Sequence, residues 1–322
     1  MFVQSFEMEK RHLGNSDLQV TPLCLGCNVF GWTIDEKKSF EILDAFVAKG
    51  HNFIDTADIY SVWATGEFGS SETIIGNWMK ARNNRDKIVL ATKCGMIDMQ
   101  GGINISKKYI IEAAERSLKR LQTDHIDLYQ THKDDGKTPV EETLEAHQQL
   151  IKEGKVRVIG ASNFFATRLK EALDASKKHG LPRYETLQPL YNLYDREVFE
   201  KELEKVCLDN NLSVINYYSL AAGFLSGKYR NESDATGKAR GGRAKQYLNE
   251  RGFRILKAMD EVAAEYKTTN SSVAIAWLLT RKAVAAPIAS ATSLSQLEEL
   301  FKGVELTLSE SAIEKLNAAS AW

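Results

Sequence analysis

Residues 125–162 read HIDLYQTHKDDGKTPVEETLEAHQQLIKEGKVRVIGAS, and the period of their apolar residues changes twice. HIDLYQTH is a short apolar run, TPVEETLEAHQQLIKEG carries an amphipathic helical stripe, and VRVIGAS reads as a strand again. Thr138 reads as the helix N-cap, Pro139 as its first residue and Gly154 as its stop.

The same alternation continues in both directions. Strands are predicted in TPLCLG (21–26), NFID (52–55), KIVLATK (87–93), HIDLYQTH, VRVIGAS, ETLQP (185–189), LSVINY (212–217) and AVAAPIAS (283–290), which makes eight. Between them lie helical stretches, among them DEKKSFEILDAFVAKG (35–50), SETIIGNWMKARN (71–83), SKKYIIEAAERSLKRL (106–121), TRLKEALDASKKHG (167–180), VFEKELEKVCLDN (198–210), RGFRILKAMDEVAAEYK (251–267) and SSVAIAWLLTRK (271–282). Ser106 reads as an N-cap, and Gly50 and Gly180 as helix stops. RHLGNSDLQV (11–20) reads as a small hairpin, and residues 293–320 supply the last helices. With no break in composition, residues 1–322 read as one (β/α)8 TIM barrel domain of the α/β class. A doubly wound sheet is the other candidate, but it binds dinucleotides through a Gly-rich first turn, and no G-x-G-x-x-G comes after any of these strands.

Composition narrows the partners. Apolar residues make up 43% and charged residues 26% of the 322, and the formal net charge is −1. That balance argues against a nucleic acid as the main ligand and favours a small molecule. No apolar run is long enough to cross a bilayer, and MFVQSFEMEKRHLG lacks the basic start and apolar middle of a signal peptide, so a cytoplasmic location is expected. The four cysteines, Cys24, Cys27, Cys94 and Cys207, do not form a disulfide framework, and Cys24 and Cys27 read as reduced thiols on a strand. AAGFLSGKYRNESDATGKARGGRAKQ (221–246) reads as a long mobile loop after the seventh strand; GFLSGKY within it has the wrong glycine spacing for a P-loop.

In a barrel of this kind the site is built at the carboxyl ends of the strands. On seven strands the last apolar position gives way there to a polar group: Asp55, Lys93, His132, Ser162 with Asn163, Gln188, Tyr217 and Ser290. Each has a structural explanation alone, such as a cap, a solvated lysine or a hydrogen-bonded core histidine. Together with Tyr60, one turn beyond Asp55, they converge on one mouth. A phenol titrates near pH ~10, and a nearby ammonium lowers that value. Lys93 is placed to be that ammonium, Asp55 to hold it charged, and His132 to hydrogen-bond a substrate oxygen beside Tyr60. A tuned phenol over a polarised oxygen suits carbonyl reduction.

Here the residues carry a resemblance. FIDTADIY (53–60), ATKCG (91–95), LYQTHKDD (128–135), GASNF (160–164), LQPLYN (187–192) and YYSLAAGFLSGKY (217–229) resemble, in order, the motifs of the aldo-keto reductase family over nearly the whole chain. The likeness is to the long-loop bacterial type, related to potassium channel beta subunits. It implies the catalytic tetrad Asp55, Tyr60, Lys93 and His132, with Tyr60 as general acid-base. It implies a nicotinamide cofactor, NADP(H) in preference to NAD(H), and no metal. Carried over residue by residue, Cys27, Asn28 and Asp55 would touch the cofactor, Ser162, Asn163 and Gln188 its carboxamide, and Tyr217 the underside of its ring. Leu220, Ala221 and Lys228 would lie along the pyrophosphate, and Ser290, Thr292, Gln296 and Glu299 at the adenosine end. Arg240 or Arg243 would supply charge for a 2′-phosphate, because PIASATSLSQLEEL (287–300) lacks the Lys or Arg that many relatives carry there. Leu300 stands where an adenine-contacting asparagine is common. Trp32, Trp63 and His132 would face a small carbonyl or alcohol substrate. Two other readings stay open on the residues alone: a cofactor-binding regulatory subunit with little turnover, and a barrel aldolase with Lys93 as Schiff-base nucleophile.

Overall fold

The strands pair in the order in which the chain makes them. β1 (Arg11–His12) and β2 (Gln19–Val20) form the antiparallel hairpin expected for residues 11–20. β3 (Cys24–Gly26), β4 (Phe53–Asp55), β5 (Val89–Cys94), β6 (Ile126–Thr131), β7 (Val156–Ser162), β8 (Tyr184–Gln188), β9 (Ser213–Val214) and β10 (Ile288–Ala289) form a parallel eight-stranded sheet in which β10 returns to β3. The last seam closes through backbone hydrogen bonds from Val214 to Ala283 at 2.8 Å, Ala285 to Val214 at 2.9 Å and Ile288 to Asn216 at 2.9 Å. The result is a (β/α)8 barrel. The computed structural model describes residues 9–98 and 100–322; residues 1–8, where the leader-free start was read, and Met99 lie outside it.

Thirteen helices are present among the described residues: α1 (Glu36–Ala48), α2 (Val62–Thr65), α3 (Ser70–Arg82), α4 (Lys107–Leu121), α5 (Val140–Lys152), α6 (Ala166–His179), α7 (Glu204–Asp209), α8 (Glu232–Ala235), α9 (Gly241–Ala244), α10 (Glu250–Glu265), α11 (Asn270–Leu279), α12 (Leu294–Glu305) and α13 (Glu310–Ala319). Ser106 caps α4 by accepting from the Tyr109 N–H, and Gly180 ends α6 at φ +63°. Thr138 is not the cap of α5. Its hydroxyl donates to Asp135 at 2.6 Å, and Pro139, in an extended conformation, occupies the capping position instead. VFEKELEKVCLDN is not one regular helix but a wide π-type turn, Phe199–Leu203, running into α7. Residues 221–246 are mostly short helical turns, including α8 and α9, rather than open loop.

Side-chain alternation along the strands decides what the cylinder contains. Phe53, Val89, Ala91, Leu128, Val158 and Ile288 fill its interior together with Leu13, Leu18 and Val20 of the hairpin, which therefore plugs the amino-terminal end. Ile54, Leu90, Tyr129 and Ile159 face outward into the larger core under the helices. By the same parity, Asp55, Lys93, Gln130, Ser162 and Gln188 point inward at the carboxyl-terminal end. Cys24 and Cys27 are free thiols, both buried.

His51, just before β4, is sandwiched between Phe46 of α1 and Phe301 of α12, with ring centroids 4.9 Å away on each side. Neither ring nitrogen has a hydrogen-bond partner among the described residues. Burial, reinforced by the Lys49 charge, lowers its pKa to about 4. The unfolded chain thus takes up this proton first as pH falls below about 6.5, so the neutral ring's contribution is complete above that pH and is lost on acidification toward 4. Chemical denaturation of a His51→Leu variant is expected to show a shallower loss of stability between pH 7 and pH 4 than the parent. Parallel acid slopes for the two proteins would contradict this.

Candidate active site

Lys93 and Asp55 enter the mouth from neighbouring strands, and both are fully enclosed. The Lys93 ammonium donates to Asp55 Oδ1 at 2.8 Å, to Oδ2 at 2.6 Å and to the Thr56 carbonyl at 2.7 Å, which satisfies all three of its protons. Burial alone works against that charge, but Asp55, helped by Tyr60, outweighs it and the Lys93 pKa is raised. Asp55 Oδ1 also accepts from Gln130 Nε2 at 3.2 Å and Gln188 Nε2 at 3.0 Å. Gln188 Nε2 lies 3.2 Å from Gln130 Oε1 as well, so the two amides are locked to each other.

Tyr60 is brought over this pair by the turn after β4. The N–H groups of Thr56 and Asp58 bond the Ala91 and Lys93 carbonyls at 2.9 and 3.0 Å, which lays the turn along β5. The Lys93 Nζ comes to 4.8 Å from the Tyr60 ring centroid. The phenol is not acidified as its neighbourhood to a lysine predicts. Burial pushes its pKa up to about 12; Lys93 pulls it down, Asp55 adds to the rise, and the cation does not win. The His132 ring stands 6.1 Å from that of Tyr60 at 79°. Burial, with Lys93 adding to it, drives the His132 pKa well below the usual imidazole value, so it is neutral. Its Nδ1 is buried without a hydrogen-bond partner among the described residues. Asp58, from the same FIDTADIY stretch, does not line the cavity; burial, with Glu72 adding to it, raises its pKa to about 8.

A cavity of about 950 Å³ opens over these groups and runs between β3, β10 and the roof formed by residues 217–243. Its wall includes Asn28, Asp55, Tyr60, His132, Ser162, Asn163, Gln188, Tyr217, Leu220, Lys228, Arg240, Arg243, Ser290, Thr292, Gln296 and Glu299, and both Trp32 and Trp63. Two residues assigned to the cofactor do not themselves line this cavity. Cys27 is fully buried in the outer core, and Ala221 sits behind Leu220 and Ala222, which take the wall position. The side chains that do line it are pinned. Ser162 Oγ donates to the Gln188 carbonyl at 2.9 Å, and Asn163 bridges the His132 carbonyl at 2.9 Å and the Tyr217 hydroxyl at 2.8 Å. Arg240 reaches across the cleft to Asn28 Oδ1 at 3.0 Å, the same atom that accepts from Ser290 Oγ at 2.8 Å. Arg240 therefore spans the cleft between Trp32, 5.9 Å from its guanidinium, and the Asn28–Ser290 pair.

The wall suits an anionic, flat-ended ligand. Lys228, Lys238, Arg240 and Arg243 have no carboxylate partner among the described residues, whereas Asp55 is neutralised by Lys93. The sequence reading missed Gln130, Met96, Tyr218 and Lys238. For Gln130 a signal was there: it has the strand parity of the inward-facing Leu128, two residues earlier on β6.

Residues 22–321 match the Aldo/keto reductase family. The chain is 36% identical over 320 residues to the oxidoreductase YrpG of Bacillus subtilis, spanning 96% of this chain and 95% of the relative. It is 32% identical to the aldo-keto reductase YhdN of the same organism, over 96% and 93% of the two chains. It is 29% identical to norsolorinic acid reductase B of Dothistroma septosporum, over 97% and 82%.

The amide of Gln130 holds Asp55 from below, so its loss is felt in the ion pair. A hydrogen bond to a charged group contributes about 1.5–3 kcal/mol, and Gln130→Leu is expected to lower unfolding free energy by roughly that amount in a denaturant titration. A variant as stable as the parent would show that Asp55 is held without it.

Proposed function

We propose, on the premise that this chain belongs to the aldo/keto reductase family and is an oxidoreductase, that it reduces aldehydes or ketones with NADP(H), using Tyr60 as the proton donor. The observation that carries this reading is the Tyr60 ring set 4.8 Å from a buried ammonium that Asp55 holds charged. When bound, the reduced nicotinamide supplies a hydride to the carbonyl carbon. Neutral His132 hydrogen-bonds the carbonyl oxygen and orients it. The Tyr60 hydroxyl gives that oxygen its proton, and the adjacent Lys93 charge stabilises the phenolate that remains. With its pKa raised, Tyr60 is fully protonated at neutral pH, which suits reduction; alcohol oxidation needs the phenolate.

The cofactor assignment is supported by the wall. Gln188 and Asn163 would hydrogen-bond the carboxamide, Tyr217 would lie beneath the ring, and Ser290, Thr292, Gln296 and Glu299 would meet the adenosine end, all of them residues that line the cavity. Lys228, Lys238 and Arg240 supply positive charge for phosphates, which supports NADP(H) over NAD(H). Trp32 and Trp63 meet edge to face at 5.5 Å beside Tyr60 and would hold the substrate's apolar part. A Schiff base at Lys93 would require a neutral amine, whereas its three protons are all bonded and its pKa is raised.

Replacing Tyr60 by Phe is expected to reduce kcat for a simple aldehyde by about 10²–10⁴-fold while NADPH binding, followed by thermal shift, stays near that of the parent. Near-parental turnover would refute the proton-donor role. Alcohol oxidation is expected to accelerate as pH rises from 7 to 10 while aldehyde reduction changes little over the lower half of that range. A pH-independent oxidation rate would count against Tyr60 acting as the base.

A further inference from the structure

Every arginine but one among the described residues either donates a hydrogen bond to the protein or pairs with a carboxylate. Arg11, Arg183, Arg251 and Arg254 bond backbone carbonyls, and Arg240 bonds Asn28. Arg243 on α9 does neither. Its guanidinium, on a solvent-exposed side chain, lies 4.5 Å from the Tyr218 ring centroid, a stacking contact that orients the fork while its N–H groups have no protein partner among the described residues. Asp195, in the same neighbourhood, accepts at Oδ2 from Asn192 Nδ2 at 2.9 Å and from the Tyr247 hydroxyl at 2.8 Å, and forms no ion pair with Arg243.

The position relative to the reacting end is equally informative. Tyr218 meets the Tyr217 ring edge to face at 5.3 Å, the Tyr217 hydroxyl donates to Asn163 Oδ1 at 2.8 Å, and Asn163 Nδ2 donates to the His132 carbonyl at 2.9 Å. These contacts tie Arg243 to the side of the cleft where Tyr217 and His132 stand. Tyr218 itself is held at φ +54°, an unfavourable conformation for a tyrosine, and that turn is what presents its ring to the guanidinium.

We infer that Arg243 is an anion subsite for the substrate, and that the enzyme prefers flat carbonyl compounds carrying a carboxylate remote from the carbonyl group. The aromatic body of such a compound packs against Trp32 and Trp63, its carbonyl oxygen meets Tyr60 and His132, and its carboxylate takes a bidentate pair from Arg243. This rests on the hydride-transfer reading above for the position of the carbonyl, but the anion contact is testable without turnover.

The test compares 4-carboxybenzaldehyde with 4-methylbenzaldehyde, at saturating NADPH, in the full-length protein and in Arg243→Leu and Arg243→Lys. The expected result is a kcat/KM ratio favouring the acid by at least roughly tenfold in the parent, falling toward one in Arg243→Leu and partly retained in Arg243→Lys. A second arm measures binding of 4-carboxybenzyl alcohol and 4-methylbenzyl alcohol to the NADP+ complex by tryptophan fluorescence. If the parent turns over neither aldehyde, the oxidoreductase reading of this site fails, while tighter binding of the acid that depends on Arg243 still upholds the subsite. A parent ratio near one, a ratio unchanged in Arg243→Leu, or a loss of NADPH affinity in that variant without a matching loss for NADH would overturn it. The last outcome would return Arg243 to the 2′-phosphate.

Discussion

A lysine ammonium with no solvent exposure is tolerable only if every proton is bonded and an opposite charge touches it. Lys93 meets both conditions through Asp55 and the Thr56 carbonyl. Removing one partner of such a buried pair typically costs about 3–5 kcal/mol, because the other charge is left uncompensated. Much of the upper barrel is arranged around this constraint. Gln130 and Gln188 supply further donors to Asp55, and Gly160 on β7 leaves the room they need: a Cβ there would come 2.2 Å from Thr186 Oγ1 and 3.1 Å from Gln130 Cγ. The same enclosure explains why the phenol is not acidified. Burial that makes the ion pair strong also penalises a second negative charge beside Asp55.

The roof above the pair is built differently from the barrel beneath. The barrel wall is held by ladders and apolar packing, whereas residues 217–246 form short turns with several residues in left-handed conformation, among them Tyr218, Ala221 and Ala222. Its links to the opposite wall are polar, chiefly Arg240 to Asn28. The buried Asp55–Lys93 pair, by contrast, is fixed on β4 and β5.

Much of this was legible in the chain. The eight strand signals, the hairpin at 11–20 and the polar residues at the strand ends arise from local periodicity, and each formed where it was read. Errors arose where long-range partners compete with local preference. Thr138 has a good capping side chain, but Asp135 captures its hydroxyl. Cys27 and Ala221 sit in the right motifs, yet neighbouring Asn28 and Ala222 carry the surface of the cleft. Gln130 was hidden because an uncharged amide in an apolar run gives no charge signal, although its parity pointed inward.

The sequence by itself determined the barrel and the identity of the groups at its mouth, because alternation along a strand decides which face each side chain takes and chain order decides which strands adjoin. Only the tertiary structure decided their protonation and their reach. Whether a phenol is acidified depends on desolvation weighed against a cation, and whether an arginine serves a phosphate or stands free depends on which walls close around it. Both are properties of the enclosed space, and no local pattern encodes them.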